Sequence, residues 1–120
     1  MITTIKEYKY YLLVENKSIN NLKVYHGTNN KFHTFDLDKS IDGVVWFTNN
    51  KQSIINGTTG GEGNKYILTR YITLNNPAGW DEYEKYSIGE LINLKYDGVI
   101  LPEDDNKTDY IVFDLKSIKK

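Results

Sequence analysis

Cysteine is absent from the chain, which excludes disulfide bonds, thiol catalysis and thiolate-bound metal sites. Long hydrophobic runs are absent as well, because no apolar stretch approaches the roughly 18 residues that suggest a transmembrane helix. The N-terminus lacks the apolar core of a signal peptide. We therefore expect a soluble, cytoplasmic protein that does not act at a membrane.

Net charge is small, and the basic residues are almost all of one kind. There are 14 lysines and a single arginine, Arg70, and the net charge of −1 gives no strong field that would favour nucleic acid or a membrane. The 39% of hydrophobic residues is ordinary for a globular protein. Because the length suits one core and no repeat or linker is visible, we predict a single domain over residues 1–120.

Apolar periodicity predicts short helices between strands. Two capping boxes, Thr4-x-x-Glu7 and Ser87-x-x-Glu90, indicate where two of the helices begin. The predicted helices cover residues 4–16, from 49 or 50 to 56, and 87–94, whereas residues 78–86 are expected to be irregular. The predicted strands cover residues 22–26, 43–48, 66–74, 98–101 and 109–115.

This order of elements lacks the regular alternation of a parallel α/β sheet. It predicts an α+β fold with a mainly antiparallel sheet. The glycine-rich stretch 56–64 is interpreted as a flexible loop rather than a phosphate cradle, because it lacks the Lys-Ser/Thr ending of a P-loop and a strand follows it. The acidic turn 102–107 could hold a cation, but we interpret it as a solvated hairpin tip.

The stretch Val24-Tyr25-His26-Gly27-Thr28 is the first candidate for a functional site. Alternation places His26 on the face of the strand that carries its apolar residues, so the imidazole points into a core or a cleft. Gly27 leaves the backbone bare where a flat ligand could approach. The alternative is a satisfied, buried histidine at the end of a strand.

Three stretches in order carry a family resemblance. Tyr25-His26-Gly27-Thr28 resembles a His-Gly-Ser/Thr strand, Gly43-Val44-Val45-Trp46-Phe47-Thr48 resembles a Gly-x-x-Tyr-Phe-Ala/Thr strand, and residues 108–114 resemble an Asn-Glu-Tyr-Ile-Val-Tyr-Asp strand. These are the strands of NAD-dependent ADP-ribosyltransferases of the His-Tyr-Glu type, which include poly(ADP-ribose) polymerases and diphtheria toxin. Residues 74–77 and 96–100 resemble transferase domains of bacteriophage polyvalent proteins. The resemblance covers roughly residues 22–118.

The resemblance implies a split antiparallel β-sheet core with short flanking helices and an N-terminal helix. It implies that NAD is the ADP-ribose donor, that no metal is needed, and that the acceptor is a macromolecule, preferably a protein and alternatively a nucleic acid. A phage-encoded or bacterial effector of this kind would act in the host cytoplasm, on host or defence machinery. No oligomeric state is indicated.

The resemblance also assigns roles to residues. Cleavage of the nicotinamide–ribose bond passes through an oxocarbenium-like transition state, whose charge Asp109 would stabilise, and His26 would bond a ribose hydroxyl. The other expected NAD-binding residues are Gly27, Thr28, Trp46, Phe47, Thr48 and Arg70. Trp46 would lie against the nicotinamide ring. Read from strand phase, His26, Trp46 and Asp109 are expected to line one cleft.

The sequence departs from the family pattern at three places. Trp46 replaces a tyrosine, Asp109 replaces a glutamate and is shorter by one methylene, about 1.5 Å, and no second tyrosine occurs between residues 53 and 57. Single-residue alternatives also remain: Trp46 as a core residue, Asp109 as a cap of the acidic turn, and Arg70 in a surface salt bridge rather than on the pyrophosphate. Two other functions therefore stay open, an NAD glycohydrolase toxin and a catalytically degenerate fold that binds a partner protein.

Overall fold

One mixed seven-stranded sheet dominates the computed structural model, which describes residues 18–29, 43–57 and 63–120. The strands are β1 (Ile19–Thr28), β2 (Val45–Thr48), β3 (Tyr66–Leu74), β4 (Pro77–Ala78), β5 (Gly98–Asp104), β6 (Lys107–Val112) and β7 (Ile118–Lys119). Their spatial order is β4-β5-β6-β2-β1-β3-β7. In this described sheet β4 and β5 are parallel and all other neighbours are antiparallel. The predicted α+β class and the mainly antiparallel sheet are confirmed.

Three short helices accompany the sheet in the described part of the chain: α1 (Lys51–Ile55), α2 (Trp80–Lys85) and α3 (Ile88–Asn93), followed by a 3₁₀ turn (Leu115–Ser117). The capping box of α3 is formed as predicted, because the Glu90 N–H donates to Ser87 Oγ and the Ser87 N–H donates to Glu90 Oε1. None of the described helices has both the length and the apolar character needed to span a membrane. The helix predicted over residues 4–16 lies outside the described residues.

The expectation that residues 78–86 are irregular is wrong. They contain β4 and α2, and α2 begins after Gly79, whose N–H donates to Glu82 Oε1 at 2.9 Å. A carboxylate at the third helical position satisfies an amide that the helix leaves without an intrahelical partner. The two-residue strands β4 and β7 were not predicted either.

The two faces of the sheet carry two cores. We call the first the Phe47 face, and its buried core consists of Val24, Val45, Phe47, Ile72, Leu74, Ile100, Tyr110 and Val112. We call the second the Ile111 face, and its buried core consists of Val44, Ala78, Leu91, Val99, Leu101 and Ile111. Because Leu91 belongs to α3 and the half-buried Trp80 and Tyr83 belong to α2, both helices pack on the Ile111 face.

The sheet is joined at its centre by a narrow contact. Within the described residues, β1 and β2 register at one Cα pair, Tyr25 with Thr48, whereas β1 and β3 register at eight pairs and β2 and β6 at four. The sheet therefore consists of two well-paired parts, β4-β5-β6-β2 and β1-β3-β7. The candidate residues 26–28 of β1 and 46–48 of β2 lie at this joint or directly beside it.

Candidate functional site

His26 connects the two parts of the sheet next to the joint. It is buried on the Phe47 face, and its ring meets Phe47 edge-on with 5.7 Å between ring centroids. His26 Nδ1 lies 2.7 Å from the carbonyl oxygen of Trp46. Because a carbonyl can only accept, Nδ1 carries a proton and donates it to the Trp46 carbonyl. The side chain thus bonds β2 where the backbone ladder between the strands has ended.

Trp46, Thr48 and Asp109 lie together on the Ile111 face. Trp46 is opposite Ile111 and Thr48 is opposite Asp109 in the antiparallel register of β2 and β6. Residues directly opposite each other project from the same face of a sheet. The structure therefore brings the second and third motifs of the resemblance onto one surface, with Asp109 buried.

The expectation that His26, Trp46 and Asp109 line one cleft is wrong, because His26 projects from the face of the sheet opposite to that of Trp46 and Asp109. Tyr25 is opposite Thr48 and so shares its face, and the next residue, His26, points to the other face. Alternation within a strand was read correctly, but it does not fix the register between strands, and a shift of one residue reverses the face. The contact between His26 and β2 is made through the Trp46 backbone instead.

Gly27 faces the same side as Trp46, and packing explains why it is a glycine. A Cβ at this position would collide with the carbonyl oxygen of Gly63 and would lie 2.5 Å from Ile54 Cγ2 of α1. Both distances are below any that a real Cβ adopts, so a side chain cannot be placed there without movement. The bare backbone that we expected to meet a ligand is thus approached by Gly63 in the structure.

The remaining residues of β1 and β2 expected at the site are buried. Thr28 is buried at the end of β1, and Phe47 is in the centre of the Phe47 face. Thr48 Oγ1 accepts from the Asn50 N–H at 3.1 Å and contacts the Thr108 carbonyl oxygen at 3.4 Å. Thr48 therefore holds the end of β2 against β6, on the same face as Asp109.

Arg70 lies on the Phe47 face, away from Trp46 and Asp109. It is opposite Val24 in the β1–β3 register. Val24 lies two residues before His26 and shares its face of β1. Its Nη1 donates to the Thr69 carbonyl at 2.7 Å, and the side chain is buried. Burial contradicts the surface placement in the alternative interpretation, and the structure groups Arg70 with His26 rather than with the acid.

The β5–β6 hairpin holds an ionic cluster that the sequence interpretation missed. Lys107 Nζ lies 2.9 Å from Glu103 Oε2 and 3.8 Å from Asp109 Oδ2. The hydrogen bond from Lys107 lowers the pKa of Glu103. Burial alone would lower the pKa of Lys107, but the hydrogen bond to Glu103 and the charge of Asp109 raise it overall. The signal was present in the alternation, which places Lys107 and Asp109 on one side of β6.

Aromatic residues of α2 extend the surface beside Trp46. Tyr83 meets Trp46 edge-on, with 6.3 Å between ring centroids, and also meets Trp80 at 6.1 Å. Trp80 Nε1 donates to the Pro102 carbonyl at 2.7 Å, which fastens α2 to β5. The sequence interpretation missed these contacts because α2 was not predicted.

No protein-family model, curated protein or solved structure matches this chain. Among the residues that the structure describes, no three histidine, aspartate or glutamate side chains are grouped as metal ligands would be. Function must therefore be inferred from the motifs and from the arrangement of the site.

Proposed function

We propose that the chain is an NAD-dependent mono-ADP-ribosyltransferase that modifies a protein. The observation that carries the proposal is the hydrogen bond from His26 Nδ1 to the Trp46 carbonyl. It links the first two motifs of the resemblance at atomic distance, although they are 20 residues apart in the chain. The third motif is attached to the second because Asp109 is opposite Thr48.

The topology supports the same proposal. The three motifs occupy β1, β2 and β6, which are neighbours in the spatial order of the sheet. The single Cα pair between β1 and β2 is what we would expect where an antiparallel sheet is split into two parts. The proposal requires a ligand that contacts both faces of the sheet beside this split, because His26 and Asp109 project from opposite faces.

The chemistry assigns separate tasks to the residues. The bond between nicotinamide nitrogen and ribose C1 breaks, the electron pair leaves with nicotinamide, and the resulting oxocarbenium-like ribose is attacked by the acceptor nucleophile, which loses a proton. Asp109 would stabilise the positive charge at ribose, and Trp46 would pack against the departing ring. His26 would hold the backbone of Trp46, and its imidazole would hydrogen-bond a ribose hydroxyl.

One observation favours a second candidate, a non-catalytic protein-binding module. Asp109 is buried and Lys107 is 3.8 Å from its carboxylate, which is an environment that a purely structural ion pair could also have. In that case the chain would neither bind NAD nor modify an acceptor. It would bind its partner protein through surface contacts alone.

Nicotinamide release tests the proposal. The full chain is incubated with NAD labelled in its adenylate part and a cell lysate, and both free nicotinamide and labelled macromolecules are measured. Transfer predicts a labelled protein band, a glycohydrolase predicts nicotinamide release without a band, and a binding module predicts neither. Absence of nicotinamide release by the wild-type chain would contradict both NAD-consuming functions.

Variants connect the activity to the site. Asp109→Ala should abolish nicotinamide release while the chain stays folded, and the loss should exceed that of Arg70→Ala. Asp105→Ala removes an exposed carboxylate from the turn of the same hairpin and should keep wild-type activity. Wild-type turnover by Asp109→Ala, with circular dichroism unchanged, would mean that the carboxylate is structural.

A further inference from the structure

The Glu103, Lys107 and Asp109 side chains form a graded ionic row from the surface inwards. Their side-chain exposures are 38%, 17% and 5%, respectively. Lys107 is in hydrogen-bond contact with Glu103 and at 3.8 Å from Asp109, and the Glu103 and Asp109 carboxyl groups also lie within hydrogen-bond reach of each other. An ammonium group in this position is attracted by both carboxylates and reduces the repulsion between them.

We propose that Lys107 is a positioning residue that keeps Asp109 and Glu103 ionised together and so sets the lowest pH at which the site works. When no cation lies near them, two neighbouring carboxylates repel each other, so the pair keeps one proton to a higher pH than an isolated carboxylate would. A carboxylate that must stabilise a positive ribose has to be ionised. The part of this inference that concerns catalysis rests on the proposed transferase function, whereas the part that concerns ionisation does not.

The charged groups known to act on Lys107 belong to the β5–β6 hairpin. The charges that act on Lys107 are those of Glu103, Asp104 and Asp109. From β2 the row faces the Thr48 hydroxyl, and α2 meets the hairpin through the Trp80 indole, and both groups are uncharged.

The first experiment measures ionisation in the full chain, from the pH dependence of the side-chain carboxyl ¹³C shifts of Asp109 and Glu103. Lys107→Met should raise the pKa of at least one of them by about one unit or more, as expected for a charge at this distance near a protein surface. Lys107→Arg keeps the charge and should restore values near wild type. Lys116→Met removes an equal but distant, exposed charge and should leave both values within a few tenths.

The second experiment measures kcat/KM for NAD cleavage against pH in the same variants. Because Lys107→Met raises a carboxyl pKa, its activity should be lost at a pH about one unit higher than in wild type on the acidic side, whereas Lys107→Arg and Lys116→Met should follow the wild-type profile. Thermal unfolding of each variant checks that the fold is retained.

The outcomes separate this inference from the proposed function. If the pKa values of Asp109 and Glu103 are the same in Lys107→Met and wild type, the inference is overturned, whatever the activity. If they rise and the wild-type chain cleaves NAD, but the acidic limb of Lys107→Met coincides with that of wild type, the catalytic role of Lys107 is overturned. If they rise and the wild-type chain does not cleave NAD, the proposed function fails while the ionic row stands.

Discussion

Gly27→Ala should destabilise the chain, because the structure leaves no room for a methyl group at this position. The added Cβ would collide with the backbone carbonyl of Gly63 and would lie 2.5 Å from Ile54 Cγ2. Ile54 is fully buried, so its side chain cannot move aside without disturbing its own packing. Overpacking of this kind costs about 1–3 kcal/mol of unfolding free energy. In a domain of this size that corresponds to a fall in Tm of roughly 4–12 °C.

Gly89→Ala is the matched control, because it makes the same chemical change where nothing lies within 4 Å of the added atom. Gly89 is exposed in α3, so alanine should stabilise the helix by about 0.5–1 kcal/mol. Urea unfolding followed by circular dichroism gives both free energies. Equal stability of Gly27→Ala and wild type would refute the packing argument. If that stable variant had nevertheless lost NAD cleavage, the glycine would be required by the ligand instead.

Further predictions concern polar contacts outside the site. Ser87→Ala should lower the unfolding free energy by about 1 kcal/mol in urea titrations, because it removes the N-cap of α3. The hydrogen bonds from Ser87 lower the pKa of Glu90, so the stabilisation by this carboxylate should be complete above about pH 4.5 and should disappear as the pH falls through the lowered pKa. The stability difference between wild type and Glu90→Gln should therefore vanish in acid. Asp97→Ala should lower the unfolding free energy by about 1–2 kcal/mol in the same assay. The reason is that the Asp97 carboxylate accepts from the backbone N–H groups of Asn75 and Asn76 at 2.6 and 3.0 Å.

Strand content could be predicted from the sequence because alternation is a local property. The face shared by Val24 and His26 was recognised for that reason, and the register with β3 agrees with it. The relation between His26 and Trp46 could not be recognised, because it depends on the one Cα pair at which β1 meets β2 in the described residues. Register is decided by tertiary contacts, and a shift of one residue exchanges the faces.

Short helices and local ion pairs were missed for a related reason. α2 has six residues, fewer than two turns, so Trp80 and Tyr83 provide too short a pattern to indicate a helix. Lys107 was assigned to a solvated tip because its neighbours in the sequence are acidic and polar. In the structure it is mostly covered, because Glu103 and Asp109 hold it along the hairpin.

Asp109→Glu introduces the acid of the ADP-ribosyltransferase motif that residues 108–114 resemble, and it separates two explanations of the aspartate under the proposed function. If aspartate only weakens the same catalyst, the longer glutamate should reach ribose better, and turnover should rise or stay constant. If the site has been resized around aspartate, glutamate should overfill it, and turnover should fall by about an order of magnitude or more, as expected for a displacement of about 1 Å. Nicotinamide release and Tm, measured together, distinguish these cases from loss of the fold.

If the chain is the proposed transferase, the contacts of Asp109 favour the resized site. Asp109 is buried in the β6 ladder between Thr48 on β2 and Leu101 on β5, and Lys107 already lies 3.8 Å from its carboxylate. A glutamate at this position is longer by one methylene, about 1.5 Å. Its carboxylate would have to displace the Lys107 ammonium or move away from the position that the Asp109 carboxylate occupies. Trp46, which is larger than the tyrosine of the resembled motif, projects from the same face of the sheet as Asp109. A several-fold increase in turnover by Asp109→Glu at unchanged Tm would contradict this argument, because it would show that the site accommodates the longer acid without rearrangement.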